Sequence, residues 1–395
     1  MFETAISAVD PATPVRSQPC RVVVIWIDWY AYHVARFRGL QSAPTLTGTV
    51  AGIELVGGVG VHAGFKFREE IPADLPVETL MPDTSWHQAG KIHLAAKLWH
   101  RLSRLNPEAV LVPGYYTLPA IVAALWAKVN HRKSVLMTES SAHDHKRIWW
   151  KEKTKAILIR ILFDWAIAGG KAHVRYLNQL GFPSTRITPF YDVVDNKFFR
   201  ERSLALRRQS AAAFGLPRRY FLYIGRLAPE KNLDGLLAAW LIYRDNGGTW
   251  PLVIVGDGPA AESLRHSADA SSYAADIHFI GHKSSSELPI YYAFAGCFVL
   301  PSTREPWGLV VNEAMASGLP VIVSNRCGCV ENLVIPGRNG FIFEPSESGE
   351  LTRCLHQLEL FDDVQLAQMR THSMEIVSNY SPENFGSQIA VISNT

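Results

Sequence analysis

The chain has 395 residues, 48% of them apolar, which is long for one domain and enough to bury two cores. It lacks a run of about 18 apolar residues, which excludes a helical membrane span. Its first twenty residues lack the basic-then-apolar order of a secretory leader and read as a loose tail. The net charge of +3 hides an asymmetry: residues 1–190 carry 22 Lys+Arg against 14 Asp+Glu (+8), and the remainder carries 17 against 22 (−5). A basic first half points to an anionic partner there, such as phospholipid head groups or a phosphorylated acceptor. No stripe of interleaved aromatic and basic residues accompanies it, so no nucleic-acid partner is expected.

Residues 21–27, RVVVIWI, read as a buried first strand, and DWYAYHVARFRGL after it has helical spacing. Residues 50–80 alternate turns and strands. Gly58-Val59-Gly60-Val61-His62-Ala63 matches the dinucleotide fingerprint formally, but GFKFREE after it alternates like a strand where the fingerprint needs a helix, so an NAD-dependent oxidoreductase rests on little. An amphipathic helix is expected over 88–105. A strand at Val110–Val112 ends at Pro113-Gly114-Tyr115-Tyr116, and a helix, LPAIVAALWAKVN, follows. The next strand, Ser134–Thr138, ends at Glu139. Ligands of open parallel sheets bind at the carboxyl ends of strands, so Glu139, Ser140, His143 and Asp144 lie where chemistry is expected.

The following helix is read as KRIWWKEKTKAILIRILFDWAIAGG, residues 146–170. From Lys146 to Arg160 it has six basic residues and one acid, Glu152, with Trp149, Trp150, Ile157, Leu158, Ile161 and Leu162 on an apolar side. Residues 146–165 then either lie on an anionic membrane surface or form a solvated face over a core-facing stripe. The Arg- and Ser-rich stretch 200–217 reads as a linker. Beyond it, the strand Tyr220–Ile224 runs into Gly225-Arg226-Leu227-Ala228-Pro229-Glu230-Lys231-Asn232, and Leu252–Val255 into Gly256-Asp257-Gly258-Pro259. Ile277–Gly281 precedes His282-Lys283.

Phe298–Leu300 is a short strand stopped by Pro301. Glu305 and Glu313 stand eight apart around Trp307, Gly308, Leu309 and Val310, on a helix that starts near Gly308 and ends at Gly318 and Pro320. A glycine at a loop-to-helix junction lets a ligand approach backbone N–H groups, and a helix start favours an anion. Glu305 on the loop and Glu313 inside the helix would hydrogen-bond the two ends of a hydroxyl-rich ligand, with phosphates between them. That suits a sugar nucleotide. Val321–Val323 returns as a strand, residues 333–343 close the domain, two helices follow, and SPENFGSQIAVISNT is the last helix. Cys20, Cys297, Cys327, Cys329 and Cys354 are odd in number and scattered, which suits reduced thiols in the cytoplasm. Cys327-Gly328-Cys329 is too tight for an ordinary zinc pair and has no second pair.

The string E-P-W-G-L-V-V-N-E-A-M-A-S-G-L-P-V-I resembles the E-x7-E signature of glycosyltransferase family 4, retaining enzymes of GT-B fold. The resemblance covers about residues 110–385 and is strongest over 220–345. It implies an α/β architecture of two Rossmann-like domains facing a cleft: an acceptor domain at 21–199 after the tail 1–20, the linker 200–217, a nucleotide-sugar domain at 218–375, and a C-terminal helix, 376–395, crossing back. Asp195 and Phe198 resemble the family's V-D-x-x-x-F boundary pattern, with Phe198 one position short of its spacing. By motif position, Glu305 binds hydroxyls of the transferred sugar and Glu313 the ribose. Arg226 and Lys231 of G-R-L-x-x-E-K-N clamp the donor diphosphate. Gly256, His282 and Lys283 belong to donor-binding segments, as do Trp307, Gly308, Leu309 and Val310. Where the family carries a Gly-Gly loop, this chain has Asp28-Trp29-Tyr30-Ala31-Tyr32-His33, leaving Tyr32, His33 or Arg36 to take part of its role. Many members carry His where Glu139 stands, with His143 nearby.

The expectation is a retaining transferase moving a sugar from a nucleotide-sugar donor, a UDP-sugar by preference, to a glycan or lipid-linked acceptor in polysaccharide, lipopolysaccharide or glycolipid synthesis. No metal or other cofactor is expected, because no Asp-x-Asp motif stands at a strand end and two cations face the diphosphate. The expected location is cytoplasmic, peripheral at the inner membrane face if residues 146–165 bind lipid. The alternatives are a GT-B phosphorylase or epimerase, and a non-catalytic nucleotide-sugar sensor.

Overall fold

Parallel strands need crossovers, and the alternation of apolar runs with amphipathic helices supplies them twice. The computed structural model describes residues 20–46, 48–58, 70–142, 147–347 and 349–395. Its first sheet holds β1 (Cys20–Trp26), β2 (Thr49–Glu54), β3 (Val77–Thr79), β4 (Ala109–Pro113), β5 (Lys133–Thr138), β6 (Trp165–Ala168) and β7 (Ile187–Thr188). They lie in the order β3-β2-β1-β4-β5-β6-β7, all parallel. The accompanying helices are α1 (Ala31–Gln41), α2 (Lys91–Leu105), α3 (Leu118–Val129), α4 (Trp149–Leu162), α5 (Lys171–Gln179) and α6 (Asn196–Leu206).

The second sheet holds β8 (Phe221–Ile224), β9 (Leu252–Val255), β10 (Ile277–Gly281), β11 (Cys297–Leu300), β12 (Val321–Ser324) and β13 (Gly340–Phe343), in the parallel order β10-β9-β8-β11-β12-β13. Its helices are α7 (Leu233–Asp245), α8 (Ala261–Asp269), α9 (Leu288–Phe294), α10 (Leu309–Ala316), α11 (Val330–Leu333), α12 (Glu350–Glu359), α13 (Asp363–Ser378) and α14 (Pro382–Asn394). Central strands such as Val22–Ile25 and Leu252–Val255 are continuous apolar runs because both faces are covered. In each sheet the strand order reverses beside one strand, β1 against β4 and β8 against β11. Such switch points leave a crevice at the carboxyl ends.

Two readings of the sequence change here. The helix expected over 146–170 ends at Leu162, and Trp165–Ala168 is strand β6 between β5 and β7. Ala166, Ile167 and Ala168 are wholly buried; a short apolar run of this kind does not declare helix or strand by periodicity. Asp164 marks the junction, accepting from the backbone N–H and hydroxyl of Ser134 at 3.0 and 3.1 Å. The stretch 200–217 is structured: α6 occupies its start, packed on α9 and α10, and a 3-10 turn covers Ala211–Phe214.

One apolar core runs from the first sheet through Tyr191, Val193, Trp307 and Phe385 into the second, and a separate core lies on the other face of the first sheet. The last helix, α14, lies on α1 of the first domain. Gly39 and Gly386 face each other there, and a Cβ on either would strike backbone of the other helix. Its final carbonyls are held by cations: Lys133 Nζ donates to Ile392 and Ser393 oxygens at 3.0 and 3.1 Å, which suits the negative end of a helix.

Candidate active site

In the second domain, the chain leaving β8 bends through a 3-10 turn, Pro229–Lys231, into the start of α7. The chain leaving β11 carries Pro301–Gly308 into α10. These loops are stitched together. Asn232 Nδ2 donates to the Pro301 carbonyl at 3.2 Å, and Thr303 N donates to the Glu230 carbonyl at 2.9 Å. The stitching brings Lys231 Nζ onto Glu305 Oε2, which also accepts from Ser302 Oγ at 3.3 Å. Both partners are largely covered, with side chains 19% and 11% exposed. Arg226, five residues earlier, pairs with Glu230. Burial pushes the Glu230 carboxyl up, but its own backbone amide and Arg226 outweigh that and hold it below the usual carboxylate range. The site therefore concentrates two cations and two carboxylates at one sheet's carboxyl edge.

Gly256 sits behind them at φ +138°. A Cβ there would land on the Gly225 carbonyl, so the ends of β8 and β9 close on each other only with glycine. Gly256 N donates to the Gly281 carbonyl at 2.8 Å, which ties in the end of β10 and the His282-Lys283 pair beyond it. His282 is exposed. Lys283 lies 3.4 Å from Glu287, and its ammonium is held above its usual range by Tyr291 first and Glu287 next. Gly308, at φ +102°, caps α10. Leu309 and Val310 form the first turn, whose N–H groups have no carbonyl one turn back. Glu313 is partly exposed one turn further on, its Oε2 accepting from the buried Tyr292 hydroxyl at 2.8 Å. The two glutamates of the motif thus flank a helix start, as their spacing implies.

Trp307, expected among donor-binding residues, is 1% exposed. Its indole N–H donates to Asn312 Oδ1 at 2.9 Å, and its ring packs on Tyr380 at 5.8 Å and against Gly169 and Gly170 after β6. Asn312 Nδ2 in turn donates to the Asp192 carbonyl at 3.1 Å. Trp307 therefore serves the seam between the domains, and the carboxyl ends of both sheets meet there.

The first domain's candidates divide. His33 is buried, stacked on Trp26 at 4.5 Å, with Nδ1 accepting from Tyr30 N at 3.3 Å. Burial, then Arg36, lowers its imidazole well below the usual range. Arg36 is wholly buried, 3.2 Å from Asp192 Oδ1 and 4.3 Å above the Tyr191 ring. Both side chains are therefore spent on the interior, because the segment replacing the Gly-Gly loop opens α1 at once and turns these positions inward. Tyr32 and Glu139 keep partial exposure. Glu139 stands just past β5 within hydrogen-bond reach of Asp192. Burial, then Glu139, holds the Asp192 carboxyl well above its ordinary range, with Arg36 opposing. His143 lies outside the described residues, as do Gly60 and its neighbours.

Asp192, Asn232, Tyr292 and Asn312 were not singled out in the sequence. Asp192 is three residues before Asp195 of the V-D-x-x-x-F pattern, and Asn232 closes the G-R-L-x-x-E-K-N string, so both stood next to signals. Nothing local marks Tyr292. Among the described residues no group of three or more His, Cys, Asp or Glu is placed to hold a metal ion.

Residues 208–369 match the family model described as "Glycosyl transferases group 1". The chain is 95% covered by the Anabaena Alr3699/HepE structure in complex with UDP-glucose, all of which it spans, at a TM-score of 0.71 and 18% identity. A sucrose-phosphate synthase from Thermosynechococcus elongatus matches at TM-score 0.70 and 17% identity, over 95% of this chain and 98% of that one. The chain has the GT-B fold. Three curated relatives match by sequence. The O-antigen chain mannosyltransferase B of Escherichia coli is 30% identical over 172 residues, 43% of this chain and 44% of that protein. The alpha-D-kanosaminyltransferase of Streptomyces kanamyceticus is 26% identical over 249 residues, 62% of each. An uncharacterized glycosyltransferase of Haemophilus influenzae is 34% identical over 143 residues, 36% of this chain and 40% of that one. The match spans less than half the length of the Haemophilus and Escherichia relatives. In the GT-B frame, the Lys231–Glu305 site lies on the C-terminal domain and Glu139 on the N-terminal one.

Proposed function

We propose that this chain is a retaining glycosyltransferase of the family 4 type, moving a sugar from a UDP-sugar to an acceptor hydroxyl. The observation that carries the reading is the convergence of Lys231, Arg226 and Glu305 beside the start of α10, with Glu313 one turn along. Negative charge grows on the leaving phosphate as the glycosidic bond breaks, and fixed cations there lower the barrier. Glu305 orients hydroxyls of the donor sugar, Glu313 holds the ribose, and Glu139 and Tyr32 face the acceptor side. The leaving phosphate takes the acceptor proton on the same face, which gives retention without a carboxylate nucleophile. UDP and UDP-glucose in the Anabaena complexes support the choice of base. Arg226 and Lys231 neutralise the diphosphate, so the reaction needs no metal.

The test is a screen of UDP-, GDP- and ADP-sugars by thermal shift and donor hydrolysis. A UDP-sugar at 100 times its dissociation constant is expected to stabilise the fold by about 2.7 kcal/mol, with slow UDP release that EDTA leaves unchanged. No shift with any nucleotide sugar counts against the transferase; activity lost to EDTA and restored by magnesium or manganese counts against metal independence.

The acceptor side of the proposal is a glycan or lipid-linked hydroxyl reached from an anionic membrane surface. In α4, Ile159 and Leu162 face the core, whereas Trp149, Trp150, Ile157 and Ile161 are 70%, 54%, 51% and 63% exposed among Lys151, Lys153 and Arg160. An exposed apolar stripe with flanking cations suits a head-group boundary. No helix among the described residues is long and apolar enough to cross a membrane. Co-sedimentation is expected with anionic and not with neutral liposomes, and to be lost on Trp149→Ser/Trp150→Ser; equal binding to both lipids overturns it.

A further inference from the structure

The loop that carries Glu305 is gripped from the other domain by one side chain. His173, on the first turn of α5, is wholly buried. Its Nδ1 accepts from the Gly170 backbone N–H at 3.1 Å, and its Nε2 lies 3.0 Å from the Pro306 carbonyl oxygen. An amide N–H only donates and a carbonyl only accepts, so the two contacts demand opposite roles of the two ring nitrogens. The neutral Nε2–H tautomer alone satisfies both. The ring is also boxed in. A Cβ on Gly328 would stand 2.9 Å from its Cε1, and one on Gly169 3.2 Å, while the Trp307 ring centre is 5.8 Å away.

Pro306 is the residue after Glu305. On its other side Glu305 is held by backbone: its carbonyl accepts from Gly328 N at 3.0 Å, and its N–H donates to the Arg326 carbonyl at 3.4 Å. The turn bearing His173 is itself pinned to the second domain. Lys171 N donates to Asn332 Oδ1 at 3.0 Å, and Arg175 Nη1 donates to Glu331 Oε2 at 2.7 Å. We infer that His173 is a positioning residue for Glu305, a clamp from the N-terminal domain that fixes the peptide following the carboxylate so that Oε2 stays on Lys231. The inference rests on the transferase reading for what Glu305 touches, namely the donor sugar. An imidazole is suited to the task because it bridges a donor and an acceptor with a rigid ring. A glutamine amide offers the same pair of roles; a leucine of similar bulk offers neither.

The experiment compares wild type, His173→Gln and His173→Leu. Turnover is expected to fall at least tenfold in His173→Leu, since small misplacements of a reacting group cost on the order of 10²-fold, with the donor KM moved less than about threefold. His173→Gln is expected to recover most of the loss. Equal losses in both variants, no loss in either, or a loss confined to KM overturns the assignment. If His173→Leu does not fold, the glutamine variant and nitrogen-15 NMR of the wild-type ring decide: a ring bearing Nδ1–H, or charged at neutral pH, overturns the clamp whatever the activity. A wild-type protein that binds no nucleotide sugar overturns the transferase reading instead, while the NMR tautomer still tests the clamp.

Discussion

Lys231→Ala is expected to lose turnover by on the order of 10²-fold or more while donor KM changes far less. The reason is where the charge acts. A donor diphosphate is already anionic in the ground state, but the bond to the sugar sheds a further negative charge as it breaks, and a fixed ammonium in a largely covered site meets that charge without reorganising. Lys231 is 19% exposed and anchored on Glu305, so the cation is pre-placed. Arg226 remains in the variant, which keeps part of the ground-state attraction and leaves the loss in the chemical step. Glu313→Ala is the contrasting variant: in the proposed role its carboxylate holds the ribose, so donor affinity should fall more than turnover. Initial-rate kinetics over a donor series separate the two. Small and equal effects at Lys231 and Glu313 would mean that the motif roles have been transferred wrongly.

Arg36→Met should reduce stability by about 3–5 kcal/mol at pH 8, the usual cost of stranding a buried charge. Arg36 and Asp192 are both wholly buried, and Glu139 brings a second carboxyl to the same place. The Arg36 guanidinium opposes the rise that burial and Glu139 impose on the Asp192 carboxyl. Asp192 is held well above its ordinary range in the folded protein, so over the interval between the unfolded and folded values the folded state binds the extra proton, and stability falls as pH rises. Removing the cation steepens that fall. The loss should therefore be smaller at pH 5.5, where the Asp192 carboxyl is more nearly neutral, than at pH 8. Urea unfolding at the two pH values reads this directly, and Arg36→Met/Asp192→Leu should regain most of the loss. A pH-independent loss would show that packing of the arginine stem, not charge, is what matters.

How much of this was visible in the chain depended on sequence distance. Arg226, Lys231, Glu305 and Glu313 lie within two short strings, each a strand end running into a helix start, and local chemistry announces such sites. Short apolar runs ending at glycines marked many of the strands, and the family resemblance implied their arrangement in two domains. Arg36 and Asp192 meet across 156 residues, and His173 meets Pro306 across 133; no local pattern marks either pair. His33 and Arg36 were candidates because they stand where the resembling family carries its Gly-Gly loop, but their burial is decided by Trp26, Tyr191 and Asp192, from elsewhere. The strand at Trp165–Ala168 was hidden because its four residues suit a buried helix equally well.

The contact of α14 with α1 has a consequence for biosynthesis. Ribosomes deliver the first domain early, and domains tend to fold in the order they emerge. Here α1 of the first domain waits for its cover until Pro382–Asn394, beyond the second sheet, has been made. That domain is thus completed only after the second, and a nascent chain stalled before residue 382 would leave the Gly39 surface of α1 open to chaperones or to a second copy.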